Sequence, residues 1–94
     1  MKTKVIYRIY PEGDVIAMFP EVPNDRMGYE SMCYQHTGQH GGADQYAVVS
    51  RTRLATPEEY SPLHDELTNC IGYDLVVVKR ESQTMRDNRR KDAT

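Results

Sequence analysis

The stretch from Lys4 to Tyr10 is rich in β-branched and aromatic residues and that from Val15 to Phe19 is apolar throughout, which predicts two β-strands. Successive side chains of a strand point to opposite faces. Val5, Tyr7 and Ile9 share one face of the first strand. In the second, Val15, Ala17 and Phe19 point one way and Ile16 and Met18 the other, so both of its faces are expected to be covered. Between them Pro11-Glu12-Gly13-Asp14 supplies a fixed φ, a glycine free to take positive φ and an Asx side chain. Those residues make a tight turn, and the two strands a hairpin.

Pro20, Pro23, Asn24, Asp25 and Gly28 break the pattern over about nine residues. Strand chemistry returns from Tyr29 to His36, with Met32, Tyr34 and His36 on one side and Ser31, Cys33 and Gln35 on the other. The stretch from Thr37 to Asp44 holds Gly38, Gly41 and Gly42 and reads as a loop. From Gln45 to Arg51, Tyr46 and Val48 alternate with Ala47 and Val49, which predicts a fourth strand antiparallel to the third.

Thr56-Pro57-Glu58-Glu59 carries the marks of a helix start: a capping hydroxyl, a proline suited to the first turn, and a glutamate three residues after the cap. Tyr60, Leu63, Leu67, Cys70 and Ile71 then form one apolar stripe at helical spacing. Pro62 lacks the N–H that would bond back to Glu58, which predicts a kink or a restart capped by Ser61. Gly72 ends the helix in the left-handed region. Leu75-Val76-Val77-Val78 is the densest β-branched run and reads as a central strand within Tyr73–Lys79. The fold class expected is α+β, a mainly antiparallel sheet of about five strands in the order ββββαβ with one helix on one face. Residues 1–80 form a single domain and 81–94, with one apolar side chain of any size, a flexible basic tail.

Charge sharpens this division. Residues 1–78 carry a net charge of −5 and residues 79–94 a net charge of +3. An acidic body argues against a broad nucleic-acid face on the folded part, while the tail can still touch phosphates. No apolar run approaches the roughly 20 residues a membrane helix needs, and the N-terminus has no signal-peptide core. The expectation is a cytoplasmic protein with no membrane partner. Cys33 and Cys70 are too sparse for a disulfide framework. A thin core in a chain of 94 residues favours a homo-oligomer.

Three groups of residues offer chemistry. Cys33, His36 and His40 are zinc-binding residue types at spacings a strand and loop can fold around an ion, with Cys70 as a fourth ligand. Alternation sends Cys33 and His36 to opposite faces, and a buried cysteine with two loop histidines accounts for the same residues. Zinc is therefore the one cofactor to test. Gly38, Gln39, His40, Gly41 and Asp44, with His36, form the leading candidate ligand site, a backbone-exposing loop for an anionic, nucleotide-like ligand. A plain hairpin loop with glycines for positive φ accounts for the same residues more simply. His36 or His40 with Asp44 to orient it offers a general base for a small hydrolase or metal enzyme, and Glu58 and Glu59 belong instead to the helix dipole. Arg51, Arg53, Arg89, Arg90 and Lys91 are the candidates for nucleic-acid binding, with Tyr7, Tyr10, Tyr29, Tyr34 and Tyr46 as stacking groups.

Ile6-Tyr7-Arg8, the run from Pro11 to Ala17, Phe19-Pro20-Glu21, Gly38-Gln39-His40-Gly41, Ala55 to Tyr60 and Ile71 to Leu75 resemble a group of small uncharacterised proteins of bacterial phages and other mobile elements. The resemblance covers about residues 4–80 and transfers no role to any residue. It implies a small accessory protein that acts by binding, by blocking a host defence protein or by sequestering a nucleotide signal. The function expected is accordingly non-enzymatic binding of a host protein or a small nucleotide-like ligand.

Overall fold

In a computed structural model the hairpin of β1 (Thr3–Ile9) and β2 (Val15–Pro23) pairs antiparallel, Ile6 opposite Met18 and Ile9 opposite Val15. Gly13 takes φ +102° in the turn, where its N–H donates to the Tyr10 carbonyl. The structure describes residues 2–35 and 39–93, with Gln39 and His40 described as backbone only. β3 (Ser31–Gln35) pairs antiparallel with β2, and β4 (Gln39–Ala43) with β3. The other edge of β1 is shared end to end by β5 (Arg53–Leu54), antiparallel, and β6 (Leu75–Val77), parallel. The chain is thus α+β, with six strands among the described residues in a mostly antiparallel mixed sheet.

The two-sided reading of β2 holds. Ala17 and Phe19 join Val5, Tyr7, Tyr34, Leu63 and Leu67 in one core, while Ile16 and Met18 join Ile6, Cys33, Ala43 and Val48 in another. The first is covered by α2 (Pro57–Asp65) and the π-helical stretch Glu66–Ile71 that continues it. Thr56 caps α2 in a complete capping box with Glu59, and the helix runs on through Pro62 without restarting at Ser61. Gly72 closes it at φ +96°. In the wider π turn the i→i+5 bonding rotates the following residues. Cys70 and Ile71 are therefore exposed, whereas the sequence stripe places them with the buried Leu67.

Four segments differ from the pattern-based reading. Residues Gln45–Arg51 form a helix, α1, and not a strand; Asp44 Oδ1 accepts from the Tyr46 N–H and caps it. The fourth strand is instead the glycine-bearing segment read as a loop. β6 is a three-residue edge strand, not a central one: among the described residues it pairs with β1 alone. Finally, residues 81–94 are not a flexible tail: Gln83–Ala93 form α3, docked on β2. The extra residues of β2 between Phe19 and Pro23 bulge out of the ladder with β3. Arg89 takes up the freed Pro20 carbonyl through Nη1 at 2.8 Å and the Gly28 carbonyl through Nε at 2.7 Å, and it also bonds Glu81. Asn88 donates to Glu21 at 2.8 Å. Gly28 is required there: its φ is +72°, and an added Cβ would stand 2.8 Å from the Arg90 Cα.

Candidate functional site

The docking of α3 creates a groove that the sequence does not announce. Its walls are α1, through Gln45, Tyr46 and Val49, and the segment from Lys79 to Arg86; Ile6 and Arg8 of β1 form the floor. Its volume is about 250 Å³. Arg8, Lys79, Arg80 and Arg86 line it against one acid, Glu81. Glu81 is shared between Arg89 and Arg86, whose Nε lies 3.7 Å from Oε2. Positive charge therefore dominates the groove.

Arg8 is pre-positioned. Its Nε donates to Thr52 Oγ1 at 2.9 Å and its Nη2 to the Thr52 carbonyl at 2.7 Å, so it caps the C-terminal end of α1. Burial holds its guanidinium below the ordinary value, with the cation still fully formed at neutral pH. Gln45, only 6% exposed, donates from Nε2 to Ser31 Oγ at 2.6 Å. Its Oε1 is buried without a hydrogen-bond partner among the described residues. Tyr46 next to it is 84% exposed. The rim thus presents a flat aromatic face above a cationic floor.

The structure disperses most of the residues singled out from the sequence. Gly41 and Gly42 lie in β4 opposite Cys33 and Met32, and Asp44 is spent on the α1 cap. A Cβ at Gly42 would meet the side-chain ends of Asn24 and Glu30, which would have to move aside. Cys33 sits in the α1-side core, where burial pushes its thiol up, while Cys70 is exposed on the opposite side of the sheet. His36, Gly38 and the side chains of Gln39 and His40 lie outside the described residues, and so does the Cys33/His36/His40 group. Among the described residues no cluster of three or more His, Cys, Asp or Glu is placed to hold a metal ion.

The nucleic-acid candidates also separate. Arg89, 4% exposed, is a structural bolt, and Arg90 stands over the Tyr29 ring at 5.3 Å. The tyrosines share no common face: Tyr7 and Tyr34 are core, with the Tyr7 hydroxyl 2.8 Å from His64 Nδ1 and Tyr34 bonded to Glu66. Arg51 and Arg53 do line one depression of about 550 Å³ with Tyr10, Thr52 and Glu59. Arg53, however, is paired bidentately with Glu59 at 2.7 and 2.8 Å. That leaves one uncompensated cation there, against three in the α1 groove.

Glu59 carries a pH signature of its own. The Arg53 guanidinium and the Thr56 N–H hold its carboxyl down from the usual 4.5 to about 2. A folded value below the unfolded one means that this stabilisation is complete above pH 4.5 and is lost as pH falls towards 2. Unfolding free energy measured across that window should fall with acid less steeply in Arg53→Gln than in the parent chain. Equal slopes would show that the pair contributes nothing.

A scan of family models, a search of curated proteins and a search of solved structures each return no match to this chain.

Proposed function

We propose that this chain is a non-enzymatic binding protein that sequesters a small phosphate-bearing molecule in the groove between α1 and residues 79–86. The observation that carries the reading is the excess of cations over acids in the lining of the groove, Arg8, Lys79, Arg80 and Arg86 against Glu81. Guanidinium groups bind phosphate oxygens bidentately, and a pre-positioned arginine loses less freedom on doing so. A volume of about 250 Å³ falls just under the roughly 300–1,000 Å³ common for ligand pockets, which suits one nucleotide-sized molecule better than a polymer. The resemblance to small phage proteins agrees with capture of a nucleotide signal. Binding of nucleic acid through residues 81–94 has less support, because Arg89 is buried and Arg90 covers Tyr29.

Calorimetric titration with inorganic pyrophosphate tests the reading. The double variant Arg80→Gln/Arg86→Gln should weaken binding by at least about tenfold, the scale of two charge-assisted hydrogen bonds. Arg51→Gln, at the other depression, should leave it unchanged. The reverse ranking would move the site to the Arg51 depression, and no binding by the parent chain would overturn the proposal.

A further inference from the structure

We infer that α3 is a strap operated by the groove's ligand: a bound phosphate group fastens α3 to the sheet, and undocking of α3 releases the ligand. The inference rests on the phosphate-binding reading above and adds its regulation. The groove joins two bodies. Arg8 belongs to β1, whereas Arg86 stands near the start of α3, and both line the same groove. An anion held by both ties the helix to the sheet. Arg8 waits in a fixed position, through its bonds to Thr52. Arg86 has donors to give: its Nε lies 3.7 Å from Glu81 Oε2, beyond hydrogen-bond length, and among the described residues its side chain makes no hydrogen bond. α3 is also an element able to let go. Its one buried residue is the charged Arg89, while Met85 and Ala93 are only half-buried. It is fastened by polar groups, Arg89 to the Pro20 and Gly28 carbonyls and to Glu81, and Asn88 to Glu21. An element with no fully buried apolar side chain opens at a free energy below that of global unfolding. Glu81 connects the two functions, since Oε1 bonds Arg89 while Oε2 faces Arg86. A phosphate that takes Arg86 leaves Glu81 wholly to Arg89, so filling the groove keeps that docking contact intact. The ligand prefers the docked form by what Arg86 adds, about tenfold or more for a charge-assisted hydrogen bond, and by linkage it favours docking by the same factor.

The experiment measures amide hydrogen exchange of the full chain with and without saturating inorganic pyrophosphate, at an ionic strength matched with sodium chloride. Amides of residues 87–93 should exchange about tenfold or more slowly when pyrophosphate is bound. In Arg86→Gln, saturated at its own higher pyrophosphate concentration, that slowing should shrink to within about twofold, because the ligand no longer distinguishes docked from undocked α3. Arg86 is exposed, so this variant will fold. By reciprocity, Arg89→Met should lose affinity for pyrophosphate by up to the same factor of about ten in calorimetry. Unchanged exchange in α3 of the parent chain, with calorimetry showing pyrophosphate bound, would overturn the inference while leaving the phosphate site standing. Equal slowing in the parent and in Arg86→Gln would overturn it too, since the ligand would then stabilise the whole fold without a link through α3. Absence of calorimetric binding would remove the site itself, and the strap with it.

Discussion

Replacing Arg89 with methionine should release α3 from the sheet, at a cost of about 3–5 kcal/mol, the usual penalty for removing one member of a buried ion pair. Arg89 donates to the Pro20 and Gly28 carbonyls, both freed from any ladder, and it neutralises Glu81. Without it two carbonyls lose their partner at once, and Glu81 keeps only Arg86, at 3.7 Å. Amide hydrogen exchange is the right readout, because α3 can undock while β1, β2 and β3 stay paired. Protection should collapse for residues 85–93 and persist in the hairpin. An exchange pattern in α3 identical to the parent's would mean that the helix is held by something other than Arg89. The same variant should weaken ligand binding, since Arg86 reaches the groove only when α3 is docked.

Leu67→Ala and Ile71→Ala should differ by several kcal/mol, although both residues fall on one apolar stripe. Leu67 is fully buried among Val5, Tyr7, Phe19 and Leu63, so its truncation should cost about 2–5 kcal/mol. Ile71 is the last residue of the π-helical stretch and is exposed, so its truncation should stay within about 0.5 kcal/mol. Urea denaturation of the two variants decides the matter. Comparable losses would show that the helix keeps ordinary α geometry to its end and buries both residues.

The hairpin, the two-sided β2 and the capped start of α2 were legible because each rests on local chemistry: alternation, a Pro-Glu-Gly-Asp turn, a Thr-Pro-Glu-Glu cap. α1 was misread for an equally local reason. Tyr46-Ala47-Val48-Val49 alternates and is β-branched, yet Asp44 stands at its N-cap, and Gln45 and Val48 are its buried residues, three apart. The cap was the signal that outweighed propensity. α3 had no apolar signal to give. Its surface is polar nearly all round, and it docks by hydrogen bonds from Asn88 and Arg89 to a bulge whose position depends on the β2–β3 register. Ser82, whose hydroxyl accepts from the Met85 N–H, was the one local clue to where it begins.

The groove follows from those two helices and was therefore invisible in the pattern. The sequence pointed to the glycine segment, where backbone freedom is obvious, but glycines that permit close pairing leave the same trace as glycines that cradle an anion. Arg8 falls on the strand face opposite Val5, Tyr7 and Ile9 and carries no sequence signal of its own. Only the turn of α1 beside it shows that its guanidinium is fixed by Thr52 and turned to the groove's use.

Amide chemical-shift mapping with adenosine 5′-monophosphate tests the central claim most directly, because it reports position without presupposing affinity. The account predicts saturable shifts concentrated in residues 45–49 and 79–86, with Ile6 and Arg8 beneath them. Shifts centred on residues 39–44, or on 10–13 together with 51–53, would place the site elsewhere and contradict it.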